Sequence, residues 1–328
     1  MRAITISRPG GPEVLTLAEL PDPVPAAGEV LIRVRAFGVN HADAYMRSGA
    51  WGQVADVPGI EAAGVVAADP SGTLAAGTPV VAILGGMGRT RNGSYAELVT
   101  VPATNVVPVT GIAVDLPSTT LAAIPEVYAT AWSALHANLE LQPGQTVLVR
   151  GATSALGQAV VDLARDLGAA VVATSRSAER AAALKELGAD TVLIDDGALA
   201  AQVPELGLRI DAVADLVGNS VLRDSLACLA PRGRLCQLGF LGGLAPVVDF
   251  NPLTDLPTGV QLSFFGSAFV LGTAGYPLAG IPLNDIFAKV AAGTLRVRPP
   301  RTFVVDDIVA VHRQLEAGTA GGKMVVEL

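Results

Sequence analysis

The chain reads as an α/β protein in two parts, a β-barrel-like domain drawn from both ends of the chain and a doubly wound parallel-sheet domain between them. Three observations predict this. Residues 145–174 run strand, small-residue turn, helix and strand. Short runs punctuated by Gly and Pro fill the chain up to about residue 118, and from Arg296 onward it returns to strand, helix and strand. A chain of 328 residues also exceeds what one hydrophobic core usually serves.

Taken in order, residues 29–37, 64–68, 79–84 and 94–99 have the apolar or alternating character of short strands. From about residue 121, long helices alternate with apolar strands placed at 147–150, 170–174, 191–194, 211–216 and 233–238, the pattern of a doubly wound sheet. A helix is predicted over 177–187, with Ser177 as N-cap, Arg180 at its third position and Gly188 as its stop. Residues 260–265 and 268–271 read as apolar strands around Gly266 and Ser267. An apolar strand at the end of a sheet is covered or paired with another chain, so a homodimer through residues 260–271 is expected. A helix at about 306–317 and a strand at 323–328 close the chain. The expected domains are 1–120 with 272–328, and 121–271.

Composition narrows the function. With 51% hydrophobic and 16% charged residues the chain is globular rather than disordered. A net charge of −8 without a block of Lys or Arg argues against nucleic acid and against an anionic membrane surface. Residues 256–284 carry no charge, yet Pro257, Pro277, Pro282 and five glycines break any spanning helix. Only Cys228 and Cys236 occur, and Met1-Arg-Ala-Ile-Thr-Ile reads as a strand rather than a secretory signal. A cytoplasmic protein with reduced thiols, acting on a small molecule, is expected.

The turn at 151–157 joins the strand at 147–149 to a helix carried by Gln158, Val160, Val161, Leu163, Ala164 and Leu167. Amides at such a helix start lack intrahelical partners and, with the helix dipole, attract a pyrophosphate. The usual Gly-x-Gly-x-x-Gly is altered, with Ala152, Ser154, Ala155 and Gly157, and the β-α-β context carries the assignment. Ser154, Ala155 and Leu156 are the candidate phosphate contacts. The second strand ends in Ser175-Arg176-Ser177, without the acid that NAD sites use for the ribose 2′-OH. Ser175, Arg176 and Arg180 offer donors and positive charge to a 2′-phosphate, so NADPH is expected over NADH; a solvated helix face is the plainer account of the two arginines. Ligands lie beyond the carboxyl ends of such strands, which places Val217, Gly218, Asn219, Leu238, Gly239 and Phe240 along the nicotinamide half.

Together with this turn, Gly38-Val-Asn-His-Ala-Asp43, Tyr45-Met-Arg-Ser-Gly49, Pro58-Gly-Ile-Glu-Ala-Ala-Gly64, Gly93-Ser-Tyr-Ala-Glu97, Asp215-Leu-Val-Gly218 and Gly322-Lys-Met-Val-Val326 resemble the medium-chain dehydrogenase/reductase superfamily in its zinc-independent quinone oxidoreductase branch. The resemblance covers essentially the whole chain. It implies a GroES-like catalytic domain with a Rossmann NADP-binding domain inserted. The positions that hold catalytic zinc in metal-dependent relatives carry Asn40 and Ile60 here, residues 127–130 offer no Cys, and no Cys precedes 228. His41 and Glu61 remain without a third ligand, so no metal is expected.

Without a Lewis acid, the resemblance implies hydride transfer from NADPH to an acceptor that is already electrophilic, a quinone or an α,β-unsaturated carbonyl. It implies Asn40 beside the nicotinamide ribose, Tyr45 as a hydrogen-bond donor, Trp51 as an apolar wall, Thr130 under the nicotinamide and Lys323 reaching the cofactor. Tyr45 and Trp51 also read as packing, Lys323 as a surface lysine, and Glu61 as a carboxylate balancing a nearby arginine. Asp195 stands where relatives often carry a Tyr beside the 2′-phosphate, and would weaken phosphate binding if it faced the pocket. Two other functions fit the same residues, a free-standing enoyl-thioester reductase and a non-catalytic NADPH-binding protein. Loops at 86–92 and 242–256 shape the substrate pocket.

Overall fold

In the computed structural model, which describes residues 1–328, the strands form three sheets. β1 (Arg2–Ile6) and β2 (Leu15–Glu19) pair as an antiparallel ribbon. β3 (Glu29–Val39), β4 (Glu61–Ala68), β5 (Pro79–Ile83), β6 (Leu98–Pro102) and β7 (Val106–Pro108) follow. Next come the parallel strands β8 (Thr146–Arg150), β9 (Ala170–Ser175), β10 (Thr191–Ile194), β11 (Ile210–Asp215), β12 (Leu229–Gln237) and β13 (Gln261–Phe264), in the sheet order β10-β9-β8-β11-β12-β13. β14 (Arg301–Val304) and β15 (Met324–Glu327) return to the first domain's sheet, ordered β14-β15-β3-β4-β5-β7 with β6 also on β3. β15 pairs antiparallel with β3 from Met324 opposite Val39 to Glu327 opposite Ala36, so both ends of the chain share one sheet.

Contacts divide the chain into Met1–Ala129 with Ala268–Thr294 and Arg298–Leu328, and Thr130–Ser267 with Leu295–Val297. The joins differ from those predicted. Helix Pro125–Ser133 is shared between the units, and Leu295–Val297 belongs to the second. Leu295 is buried there, Arg296 N donates to Asp162 Oδ1 at 3.0 Å, and the Arg296 guanidinium reaches Glu186 O at 2.9 Å.

The first unit's core gathers Val30, Ile32, Val34 and Phe37 of β3 with Tyr95, Val101, Val311 and Met324. The second packs Leu148, Val172, Val213 and Leu235 of the parallel strands against Leu199, Leu222 and Leu226 from the helices. A parallel strand covered on both faces reads as an unbroken apolar run, which is why β8 to β11 fall within a residue of their predicted positions.

Three local expectations are corrected. The strand predicted at 94–99 forms as β6, four residues later, because residues 93–95 are tied to a loop: Gly93 N, Ser94 N and Tyr95 N donate to Val57 O, Gly59 O and Pro58 O. The helix predicted over 177–187 begins as a 3-10 turn, Ala178–Arg180, and becomes α-helical at Ala181–Leu187. The Ser177 side chain makes no cap bond, whereas Gly188, at φ 120°, ends the helix as expected. Residues 268–271 form no strand, since Ser267–Val270 is a short helix and only β13 joins the sheet. A short apolar run has no periodicity with which to choose. No helix of the chain is long and apolar enough to cross a membrane.

Candidate functional site

In the second unit, β8 delivers the chain to a turn whose hydrogen bonds are closed on themselves. Ser154 caps helix Ala155–Asp166: its Oγ donates to Gly151 O at 2.9 Å and accepts from Gly157 N at 3.1 Å. Gly151 N donates to Thr174 Oγ1 of β9 at 3.1 Å, a tether that sequence reasoning missed. Gly151 has φ 84°, and a Cβ on Gly157 would lie 2.5 Å from Gly151 O, so glycine at both places brings the helix start onto the turn. The amides of Ala155 and Leu156, at the first two helical positions, find no acceptor in the helix, the arrangement that receives an anion.

At the tip of β9 the predicted contacts separate. Arg176 and Arg180 are exposed. Ser175 is buried, and its hydroxyl is already engaged, donating to Ser177 O at 2.8 Å and accepting from Ser177 N at 3.1 Å.

Beneath this edge lies a network that sequence reasoning missed altogether. Arg150, the last residue of β8, is fully buried and donates from Nε and Nη2 to the two oxygens of Asp195, each at 2.8 Å. Its Nη1 reaches Asp224 Oδ2 at 2.7 Å and Ser225 Oγ at 2.9 Å. Ser225 in turn donates to Asp215 Oδ2 at 2.7 Å, and the amides of Val217 and Gly218 donate to Asp215 Oδ1 at 2.9 and 2.8 Å. Burial pushes the Asp215 carboxyl above the usual carboxylate range, against the pull of Ser225 and those amides.

The loops after β11 and β12 are stitched together. Leu241 N and Gly242 N donate to Leu216 O and Val217 O, and Gln237 Nε2 donates to Asn219 Oδ1 at 2.9 Å. Gly218 has φ 83°, and a Cβ there would lie 2.4 Å from Gly239 O. The unit therefore brings Val217, Gly218, Asn219, Leu238, Gly239 and Phe240 to one edge of the sheet, with Phe240 against Phe264, their ring centroids 5.8 Å apart. Thr130, also of this unit, is buried.

In the first unit, Lys323 Nζ donates to Asn40 Oδ1 at 2.6 Å and to Glu61 Oε1 at 2.5 Å, while Asn40 Nδ2 donates to Glu61 Oε1 at 2.8 Å. Glu126 N holds Glu61 Oε2 at 2.9 Å. All three side chains are buried. Lys323 is therefore no surface lysine, and Glu61 balances that lysine rather than an arginine. His41 stands exposed at the start of helix His41–Ser48. No three His, Cys, Asp or Glu side chains are grouped as a metal ion requires.

Close by in sequence, Tyr45 and Trp51 sit 6.1 Å apart by ring centroid, and Trp51 packs against Phe269 at 5.7 Å. The Arg89 guanidinium lies 4.7 Å from the Phe269 centroid and 5.7 Å from that of Trp51, and Nη1 donates to Ala268 O at 2.8 Å. Phe269 and Arg89 were invisible as partners because 180 residues separate them. Burial raises the Tyr45 phenol above its usual range, so it stays protonated at neutral pH.

Behind helix His41–Ser48, Tyr95 OH and His312 Nε2 share a hydrogen bond at 3.1 Å, and Asp43 accepts from Asn40 N at 2.8 Å and Gly59 N at 3.1 Å. Burial pushes the Asp43 carboxyl up to about 7; burial, with the positive charge of Arg47, pushes His312 down to about 3. Between about pH 3 and 6.5 the unfolded chain thus binds a proton at His312 that the folded chain does not, so this group withdraws stability as pH falls below 6.5. Asp43 acts with the opposite sign, withdrawing stability as pH rises from 3.8 to about 7. A His312→Gln variant is expected to lose about 2 kcal/mol less than the parent between pH 7 and pH 5, read from urea midpoints at the two values. Equal losses in both proteins would contradict a neutral buried imidazole.

Comparison with known proteins adds the following. Residues 26–111 match the alcohol dehydrogenase GroES-like domain, and residues 155–277 match the zinc-binding dehydrogenase family. The chain is 30% identical to a 2-haloacrylate reductase of Burkholderia sp, covering 99% of this chain and 98% of that protein. It is 32% identical to a quinone oxidoreductase of Lama guanicoe over 77% of this chain and 76% of the other. A mycobacterial protein solved in complex with NADPH superposes with a TM-score of 0.87 at 31% identity, over the whole of both chains.

Proposed function

The chain belongs to the medium-chain dehydrogenase/reductase superfamily, in its quinone oxidoreductase branch, and from that premise we propose that it is an NADPH-dependent, zinc-independent reductase of quinones or α,β-unsaturated carbonyls. The observation that carries the cofactor is the pair of amides at Ala155 and Leu156 without acceptors in the helix, in a unit whose β9 tip exposes Arg176 and Arg180 around the single exposed acid Glu179, and where the acid that follows β10, Asp195, is bound by Arg150. A pyrophosphate suits those amides at a helix start that Gly151 and Gly157 let pack closely onto the turn, and the two guanidiniums suit a 2′-phosphate. Ser154 acts through the cap it forms, and Ser175 through the turn it holds.

Within the second unit, Val217, Gly218, Asn219, Leu238, Gly239 and Phe240 are assigned to the nicotinamide half and Thr130 to the place under the ring, while the cofactor roles of Asn40 and Lys323 rest on their family positions. When bound, the dinucleotide supplies the hydride. Trp51 gives a flat acceptor an apolar face. The Tyr45 phenol, kept protonated by burial, donates to the oxygen on which negative charge develops. Zinc does not fit the residues present: Asn40 and Ile60 stand at the positions of its ligands, and the Lys323 ammonium already lies on Asn40 and Glu61. The reading extends to a cytoplasmic enzyme, with Cys228 and Cys236 buried and unpaired, and to a homodimer through β13, whose Leu262 and Phe264 are 40% and 55% exposed. Sedimentation velocity reads that copy number.

The test is the paired variant Arg176→Ala and Arg180→Ala. It is expected to raise the KM for NADPH about tenfold or more and to leave that for NADH nearly unchanged. An equal effect on both cofactors would refute the placement of the 2′-phosphate. Tight NADPH binding without consumption across a broad quinone and enone panel would refute the enzyme itself.

A further inference from the structure

We infer that Arg150 sets the preference between NADPH and NADH by taking possession of Asp195. The inference rests on the reading of the adenosine end given above. β9 lies between β8 and β10, and Asp195 N donates to Ser175 O at 2.9 Å, so Asp195 follows β10 immediately beside the carboxyl tip of β9. The chain thus carries an acid one strand away from the place where an NAD site uses one to accept from ribose hydroxyls. A free carboxylate there would favour NADH and repel a 2′-phosphate.

It is not free. Arg150 donates to each oxygen of Asp195 from one guanidinium, and Gly197 N adds a third bond to Oδ1 at 3.0 Å. The side chains are 0% and 9% exposed, which shields the pair from competing water. The other edge of the guanidinium is fixed as well. Asp224, which takes Arg150 Nη1, also accepts from Leu199 N and Ala200 N at 3.0 Å each, so it is anchored to the helix start above it. Arg150 therefore has no freedom to swing toward a ligand, and it acts through Asp195 as a positioning residue.

The prediction concerns a ratio, which a general loss of stability does not move. Affinities for NADPH and NADH are to be measured by calorimetry on the full chain as wild type, Arg150→Gln, Asp195→Asn and the double variant. Arg150→Gln releases the Asp195 carboxylate to turn toward the ligand and is expected to lower the NADPH-to-NADH affinity ratio about tenfold, the effect of a unit charge about 6 Å from a dianionic phosphate in water. In the Asp195→Asn background no carboxylate is released, and the same change is expected to lower the ratio by no more than about threefold, the direct effect of withdrawing the more distant Arg150 charge. That second comparison stands even if Arg150→Gln alone does not fold, since the double variant leaves no carboxylate unpaired at Asp195. An unchanged ratio in Arg150→Gln, or a tenfold fall on adding Arg150→Gln to Asp195→Asn, would overturn the inference. Wild type without a preference for NADPH would instead overturn the functional reading on which it rests.

Discussion

Lys323→Met is expected to destabilise the fold by about 3–5 kcal/mol, the cost of removing one partner from a buried ion pair and leaving the other uncompensated. Methionine nearly preserves the volume, so the loss isolates the charge. Glu61 is fully buried, and after the change it keeps only Asn40 Nδ2 and Glu126 N as donors, both neutral. The double variant Lys323→Met with Glu61→Gln removes both charges and is expected to recover most of the stability, because the desolvation of the pair largely cancels its attraction. Urea unfolding of the four proteins gives the coupling. A loss below about 1 kcal/mol for Lys323→Met would mean that the ammonium behaves as an exposed group.

Gly157→Val is expected to weaken NADPH binding at least about hundredfold, the scale of a misplacement of about 1 Å at a site built on fixed geometry. The added Cβ would lie 2.5 Å from Gly151 O and 2.7 Å from Ala152 Cα, and both obstacles are backbone, so no rotamer change relieves them. The turn must open, displacing the Ala155 and Leu156 amides and breaking the Ser154 cap, whose donor is the amide of residue 157 itself. A stability loss of about 1–3 kcal/mol accompanies the overpacking, so binding is to be titrated below the variant's own unfolding transition. Unchanged affinity in the folded variant would remove the phosphate from this turn.

What the sequence made legible follows the range of the interactions involved. The parallel strands and the turn are local: continuous apolar runs, a glycine pair and a serine cap within a few residues of one another. The return of the C-terminus to the first domain was readable because Gly322-Lys-Met-Val-Val326 has a strand's composition, although its partner β3 begins at Glu29. Side-chain pairing was not readable. Lys323 meets Glu61 across 262 residues, and Arg150 meets Asp195 across 45 and Asp224 across 74. An arginine closing an apolar strand gives no local sign that it is spoken for, and neither does the acid that answers it. Short segments failed for another reason. Ser267–Val270 and Ala178–Arg180 are too brief for periodicity to distinguish helix from strand or α from 3-10.

The central claim is a nicotinamide reductase that selects the phosphorylated cofactor. Its most direct test is the rate of NADPH and of NADH consumption by the purified chain, at equal concentration, against a panel of quinones and α,β-unsaturated carbonyls. The account predicts acceptor-dependent oxidation with NADPH favoured at least about tenfold in kcat/KM, the factor expected from the two arginines facing a 2′-phosphate. Equal use of the two cofactors, a preference for NADH, or no oxidation with any acceptor would contradict it.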